Sequence, residues 1–360
     1  MKGESKAMLF FHTADLHIGA SMEANLSAEK AAVRRREVFS AFEEIARSAS
    51  LQKADGVFLC GDIFDENAPS PVEIKEFFDC IATYPDVPFY LISGNHDERM
   101  QMPSVLPDNV KLFPCDAFSM YENGEVCIYG TQNPTLAPPL MDSAKINFVL
   151  LHGQAAFASG EECIDLRLWR DSGADILALG HYHTFMQTPV DLRLQAVYAG
   201  CPAGRGFDEC GQKGYATYRV KDGKVEVQFV PLKGRSFHTV EIDITNAQTP
   251  AQIERCIEEG VAGLDAKDCV KVELRGEISP NLPLALNVLT AAFENHFWFF
   301  KIKDKTTLAL PQTDLSKDLS LKGAFVRAVM AKETDPLLRD KIIRAGVLAL
   351  EGKGKEEDVL

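Results

Sequence analysis

The chain has 360 residues, enough at roughly 150 residues per domain for two domains and an appendage. Hydrophobic residues make up 46% and charged residues 25%, which excludes wholesale disorder. With 52 acidic against 38 basic residues the net charge is −14, which argues against a surface built as a whole to grip nucleic acid. The nine cysteines form no CxxC pair, and Cys60 and Cys127 sit in apolar runs, so reduced core thiols in a cytoplasmic protein are expected rather than a disulfide framework. Residues 1–8 lack the apolar region of a signal peptide. No apolar run approaches the ~20 residues of a membrane span, so a soluble protein without membrane association is expected.

Taken in chain order, short apolar runs alternate with helical patterns. Met8 to His12, Gly56 to Cys60, Pro88 to Ile92, Asn147 to Leu151 and Asp175 to Leu179 read as buried strands, bounded by Gly, Pro, Asp or Asn. Between the first two, Ser27 to Ser50 reads as a helix, with Val38, Phe42, Ile45 and Ala49 on one face. A second helix runs from Pro71 to about Tyr84, with proline in the first turn, where its missing N–H costs nothing. This alternation predicts an α/β domain. Tyr215 to Val220 and Val225 to Val230 flank Asp222-Gly223, a hairpin turn signal.

Residues 231–235 read as a boundary. A smaller unit follows, with strands His238 to Ile244, Val270 to Arg275 and Phe297 to Ile302 and helices Pro250 to Gly260 and Leu284 to His296. A second linker at 311–314 precedes helices Leu321 to Lys332 and Pro336 to Leu350. The expected domains are therefore 1–235, 236–310 and 311–360.

Polar residues cluster just beyond the strand ends: Asp15 and His17 after the first, Asp62 after the second, Asn95, His96 and Asp97 after the third, then His152, then His181 and His183. Ligand sites in open α/β sheets assemble at the carboxyl ends of the strands, so these residues should converge. Each cluster alone reads as turn chemistry. Five in order, each after an apolar strand, do not. Imidazoles with carboxylate oxygens suit Mn²⁺, Fe²⁺ or Zn²⁺ better than Ca²⁺ or Mg²⁺ alone, and the absence of cysteine disfavours a structural zinc. The ligands outnumber the needs of one ion; two ions about 3.5–4 Å apart, sharing a carboxylate, would use them all.

The order Asp-x-His, Gly-Asp, Gly-Asn-His-Asp, His, Gly-His-x-His resembles that of the calcineurin-like metallophosphoesterases. Within them, the segments at 12–19, 61–65 and 198–214 are most similar to the SbcD and YhaO type of DNA repair exonuclease, bacterial relatives of the Mre nuclease. The resemblance implies a four-layer αββα metallophosphoesterase sandwich, a small α+β capping domain and C-terminal helices. It places one ion on Asp15, His17 and His183 and a second on Asn95, His152 and His181, with Asp62 bridging. Mn²⁺ is the expected ion, with Fe²⁺, Zn²⁺ or Mg²⁺ as alternatives. Water held by the ions would attack phosphorus in line while His96 faces the leaving group. Asp97 would either orient His96 by accepting its hydrogen bond or cap a helix.

Arg205 and Lys213 are the substrate-binding candidates, since the resemblance sets 198–214 beside the metals; Cys201 and Gly206 depart there from the common serine. The triplet Arg34 to Arg36 reads as a solvated helix face. The aromatic run 297–300 reads as a core strand rather than a base-stacking strip. The resemblance further implies a DNA substrate and an SMC-like coiled-coil ATPase partner of the SbcC/YhaN type, docked on the C-terminal helices. There Leu321, Phe325, Val326 and Val329 share a face; packing on the chain's own cap is the alternative. A homodimer is left open. The competing readings are a phosphatase or phosphodiesterase acting on a small-molecule or protein phosphoester, and a non-catalytic assembly subunit.

Overall fold

A computed structural model describes residues 7–23, 26–65, 69–94, 97, 103–160, 163–279, 281–309 and 315–350. The chain divides into two compact units, Met1–Phe237 and His238–Leu360.

The first unit is built on two six-stranded sheets. In one, Met8–Thr13, Gly56–Cys60, Phe89–Ile92 and Val110–Leu112 run parallel in that spatial order. The hairpin Gly214–Lys221/Lys224–Pro231 is added antiparallel to Met8–Thr13. In the other sheet, Gln195–Tyr198, Ile176–Gly180, Ile146–His152 and Val126–Gly130 are the parallel strands. Met186–Pro189 and Ser119–Asn123 pair antiparallel at its edges.

Strand alternation decides which residues fill which layer, because successive side chains leave a strand on opposite faces. Phe10, Phe58, Phe148, Ile176 and Tyr218 meet in the core that contains residues of both sheets. Phe10 lies 5.3 Å, ring to ring, from both Phe58 and Phe148. Phe11, Val57 and Leu59 point the other way, into a core shared with Phe42, Ile45 and Phe77 of the helices Ala28–Leu51 and Pro71–Ala82. Both helices start where sequence chemistry places them: Ser27 caps the first, and Ser70 with Glu73 forms a capping box ahead of Pro71. The opposite face of the second sheet buries Val149, Leu151, Leu177 and Leu179 with Leu166 and Trp169. The helix there, Leu166–Trp169, is a single turn, so the fourth layer of the αββα sandwich is thin.

The expected hairpin forms, with φ of 52° at Asp222 and 71° at Gly223, the left-handed pair a tight two-residue turn requires. The reading of Arg34 to Arg36 as a solvated face is wrong for Arg34, which is 1% exposed. Its guanidinium donates to the Gly204 carbonyl, pairs with Glu37 and lies over the Phe237 ring. Arg36 stays at the surface, where the reading holds.

The second unit carries a three-stranded sheet of Phe237–Asp243, Cys269–Arg275 and Phe299–Asp304. Pro250–Val261 and Leu286–Phe293 contribute Ile253, Ile257, Leu289 and Phe293 to its core. Phe300 is buried in that core, but the strand starts at Phe299, so of the run 297–300 only its second half is strand, and Phe297 packs on the core from outside it. Leu286–Phe293 is shorter than the expected span to His296 and lacks a side-chain N-cap. Helices Leu321–Lys332 and Pro336–Leu350 match the expected spans. Val326 packs with Ile343 and Val347, joined by Phe325 and Val329, whereas Leu321 is largely exposed. Arg344 ties the last helix to the Leu308 carbonyl and to Glu277 of the same unit. The linker at 311–314 lies outside the described residues. Among the described residues, no helix is long and apolar enough to cross a membrane.

Candidate metal centre

The loops after the parallel strands carry the polar residues, and apolar neighbours anchor them. In Asp15-Leu16-His17-Ile18, Leu16 and Ile18 are buried in the helix-side core. Ile63 and Phe64 do the same beside Asp62. The two loops are stitched by Asp15 N–H to Gly61 O (3.1 Å), His17 N–H to Asp62 O (2.9 Å) and Ile18 N–H to Ile63 O (2.9 Å). Asp15, His17 and Asp62 all hold left-handed backbone, with φ of 54°, 47° and 50°, and His181 has φ 109°. Such conformations cost about 1–3 kcal/mol each and persist where surrounding structure over-determines them, typically at functional sites. Burying each neighbouring Leu or Ile contributes about 1.5–3 kcal/mol, enough to offset them.

The carboxylate of Asp15 accepts the His181 N–H at 2.9 Å, tying a loop of one sheet to a loop of the other. Two glycines permit the close approach. A Cβ on Gly180 would sit 1.9 Å from the Cys60 carbonyl oxygen, and one on Gly61 would sit 2.4 Å from His152 Nδ1.

Two groups of ligand atoms result, each drawn within 4.8 Å: Asp15, His17 and His183, and Asp15, Asp62 and His152. Asp62 Oδ2 lies 3.3 Å from His152 Nε2 and 3.8 Å from His17 Nε2, between the two histidines. The His181 ring stands perpendicular to that of His152, with centroids 5.7 Å apart. Asn95 and His96 lie outside the described residues.

The donor set fits a cation. His183 Nδ1 is 2.7 Å from Glu209 Oε1 and His152 Nδ1 is 2.9 Å from the Cys60 carbonyl, so both rings carry their proton on Nδ1. His17 Nδ1 faces Asp65 at 3.7 Å. The Nε2 atoms of His17 and His183 stand 3.3 Å apart, so the two rings turn the same nitrogen toward a common point where a cation could bind.

The charges press the same way. Burial raises the Asp15 carboxyl to about 6, against the opposing pull of His152 and His183. For His152, burial favours the neutral ring, but the Asp62 hydrogen bond and charge outweigh it and carry the imidazole to about 9. A divalent cation inverts this balance, since it requires the deprotonated ligands.

Residues around the ligands complete the site. Asp97 is buried, and its carboxylate accepts N–H groups from Gly94 (2.9 Å), Phe64 (2.9 Å) and Ile63 (3.2 Å), binding the loop after one strand to the loop after the next. Burial raises this carboxyl to about 6 in spite of those bonds. Lys213 Nζ donates to the His183 carbonyl at 2.7 Å and is buried. Arg205 donates through Nε and Nη2 to Glu209, at 3.0 and 2.7 Å.

Sequence reasoning passed over Glu209 and Asp65, although both stand inside quoted segments. The one available signal for Glu209 was an opposite charge four residues after Arg205. Burial alone would raise the Glu209 carboxyl, but the His183 hydrogen bond and Arg205 hold it well below the usual range. Cys201 is buried, with its thiol 3.6 Å from Glu209 Oε2.

The sequence pattern of the calcineurin-like phosphoesterases matches residues 8–185, the stretch that contains all of these ligands. Residues 8–185 form a calcineurin-like phosphoesterase domain. Phosphoesterases of this family use divalent metal ions. The chain is 24% identical over 295 residues to the metallophosphoesterase YhaO of Bacillus subtilis, covering 75% of this chain and 72% of that one. It is 27% identical over 338 residues to a DNA double-strand break repair protein Mre11 of Sulfurisphaera tokodaii, covering 86% of this chain and 83% of the relative. To the Mre11 of Methanosarcina acetivorans it is 23% identical over 255 residues, 64% of this chain but 40% of that protein. Among solved structures, a dimetal phosphatase from Danio rerio aligns with 64% of this chain and 96% of its own at a TM-score of 0.41 and 10% identity.

Proposed function

We propose that the phosphoesterase domain hydrolyses DNA phosphodiester bonds, as an exo- or endonuclease subunit in DNA repair or recombination. The observation that carries the phosphoesterase chemistry is the pair of ligand groups that share Asp15, with Asp62 in one of them and 3.8 Å from His17 of the other. DNA as the substrate is supported by relatives that bear the name of a double-strand break repair protein over most of this chain's length. Two divalent ions, Mn²⁺ by the mixed imidazole and carboxylate donors, supply when bound Lewis acidity and a water acidified toward pKa ~7.

The chain's own groups do the rest. Asp15, His17 and His183 would hold one ion, and Asn95, His152 and His181 the other, with Asp62 shared between them. His96 donates the proton to the leaving oxygen, and Asp97 anchors the loop that carries it. Arg205, whose side chain is 22% exposed, is the group offered to a substrate phosphate, and Lys213 supports the same loop from within. A net charge of −14 implies weak, salt-sensitive affinity for DNA in this chain alone, which favours a DNA-gripping partner such as an SMC-like ATPase. The C-terminal helices are the segment proposed to dock it.

Purified protein with Mn²⁺ is assayed on end-labelled DNA beside bis-p-nitrophenyl phosphate and p-nitrophenyl phosphate. Cleavage of DNA and the diester is expected; hydrolysis of the monoester without DNA cleavage would replace the nuclease by a phosphatase.

A further inference from the structure

We infer that Glu209 is an ionised positioning residue for His183, fixing its ring with the proton on Nδ1 and Nε2 toward the metal, and that Arg205, besides the substrate role proposed above, supports the ring through Glu209. The inference rests on the metal-centre reading and extends it beyond the ligands.

The geometry around Glu209 is closed. Oε1 meets His183 Nδ1 at 2.7 Å, Arg205 Nη2 at 2.7 Å and Arg205 Nε at 3.0 Å. Oε2 takes the Arg205 backbone N–H at 2.8 Å and faces the Cys201 thiol at 3.6 Å. Apart from the ring nitrogen, every one of these neighbours is a donor. A protonated carboxyl would therefore have to aim its hydrogen at a donor or at His183 Nδ1 itself. The ionised form satisfies all of them, and the ring proton then belongs on Nδ1. His183 is held from behind as well, since its carbonyl accepts from Lys213 Nζ at 2.7 Å. Its Nε2 is left facing His17 Nε2 at 3.3 Å and Asp15 Oδ1 at 3.9 Å.

Arg205 extends the arrangement. With Nε and Nη2 engaged on Glu209, its Nη1 stands 3.7 Å from Asp65 Oδ1, and that same oxygen stands 3.7 Å from His17 Nδ1. One guanidinium thus spans the carboxylates behind both histidines of one ligand group. Two carboxylates and one guanidinium thus stand behind the two rings, with the buried Lys213 ammonium against the His183 carbonyl. The His152 Nδ1 rests instead on the Cys60 backbone carbonyl. The group containing His17 and His183 is therefore one that side-chain substitution outside the ligands can tune.

Full-length wild type, Glu209→Gln and Glu209→Ala are titrated with Mn²⁺ by calorimetry at neutral pH. Wild type should take up two ions. Glu209→Ala should weaken one of them about 10- to 100-fold and spare the other, the range typical for loss of a partner hydrogen-bonded to a metal-binding histidine. Glu209→Gln, which keeps an acceptor oxygen but not the charge, should fall between. In metal-free protein labelled with ¹⁵N-histidine, long-range ¹⁵N–¹H correlations should show the His183 proton on Nδ1, the signal being identified by its loss in His183→Asn.

Both ions bound at wild-type affinity by Glu209→Ala, or a wild-type His183 protonated on Nε2 alone, would overturn the inference. If Glu209→Ala fails to fold, the wild-type spectrum and the Gln titration still decide. A wild type that binds no Mn²⁺ would bring down the metal-centre reading and this inference with it, an outcome distinct from two ions bound with Glu209 inert.

Discussion

The two halves of the candidate metal centre hold equivalent histidines by different means. On one side, His152 ends a fully buried strand and sets its ring against the Cys60 carbonyl, a group no side-chain substitution removes. On the other, His17 and His183 sit in loops and depend on Asp65, Glu209 and Arg205, all side chains. A ring fixed by backbone is as rigid as the sheet that presents it. A ring fixed by a carboxylate can be retuned or lost by one substitution far along the chain. The first half is therefore expected to fail only when the packing fails, and the second to fail by degrees.

Asp62 stands between the halves, so Asp62→Ala should defeat both and lower bis-p-nitrophenyl phosphate turnover about 10³-fold, the loss of several kcal/mol of charge stabilisation. Turnover within tenfold of wild type would mean that the halves work independently.

Gly180→Ala strikes the backbone-held half first, because the new methyl would lie 1.9 Å from the Cys60 carbonyl oxygen and 2.7 Å from His152 Nδ1, against 2.9 Å from the Ala14 methyl beside Asp15. A loss of about 3 kcal/mol is expected in a chelated thermal or urea melt. An unchanged melt would show that the sheets part easily there and would erase the contrast.

The pH dependence of metal stabilisation comes next. Asp15 and His152 are both raised in the metal-free fold, to about 6 and about 9. Their contributions to the metal-free protein are fully present below the ordinary values of 3.8 and 6.5 and are lost as pH rises through the folded ones. Mn²⁺ needs both deprotonated, so its stabilising effect grows in that same interval. The rise in melting temperature on adding Mn²⁺ should be larger at pH 8 than at pH 5.5; a rise independent of pH would show that neither group is a ligand.

The smallest effect is expected for Cys201→Ser. Its thiol makes only long contacts, to the His183 carbonyl at 3.5 Å and to Glu209 at 3.6 Å, so stability should change by less than about 1 kcal/mol and Mn²⁺ affinity by less than threefold. A larger shift would make Cys201 part of the His183 support.

Much of this was legible in the residues because it follows from local chemistry. The strand Gly56–Cys60 appears within the expected bounds, and Met8–Thr13 and Ile176–Gly180 within a residue, since buried parallel strands are continuous apolar runs. The hairpin Ser119–Asn123/Val126–Gly130 went unread, although Asn123-Gly124 marks its turn, because its first strand is half exposed and lacks a clear apolar run. Asp97 was read against His96 or a helix end, but its described bonds go to backbone N–H groups of two loops. The burial of Arg34 leaves no mark in the sequence, because its two arginine neighbours give the triplet a surface composition while its own position on the helix faces Gly204 and Phe237.

By itself the sequence determined the alternation of strands and helices, the phosphoesterase motifs and the kind of atom each offers to a metal. Those depend on neighbours along the chain: apolar runs, turn formers and the side chain's own donors. Only the tertiary structure decided which ring nitrogen faces the site, which carboxylate stands behind it and which arginine is buried. Each of those is a contact between residues tens to hundreds of positions apart, and such pairings leave no periodicity in a single sequence to read.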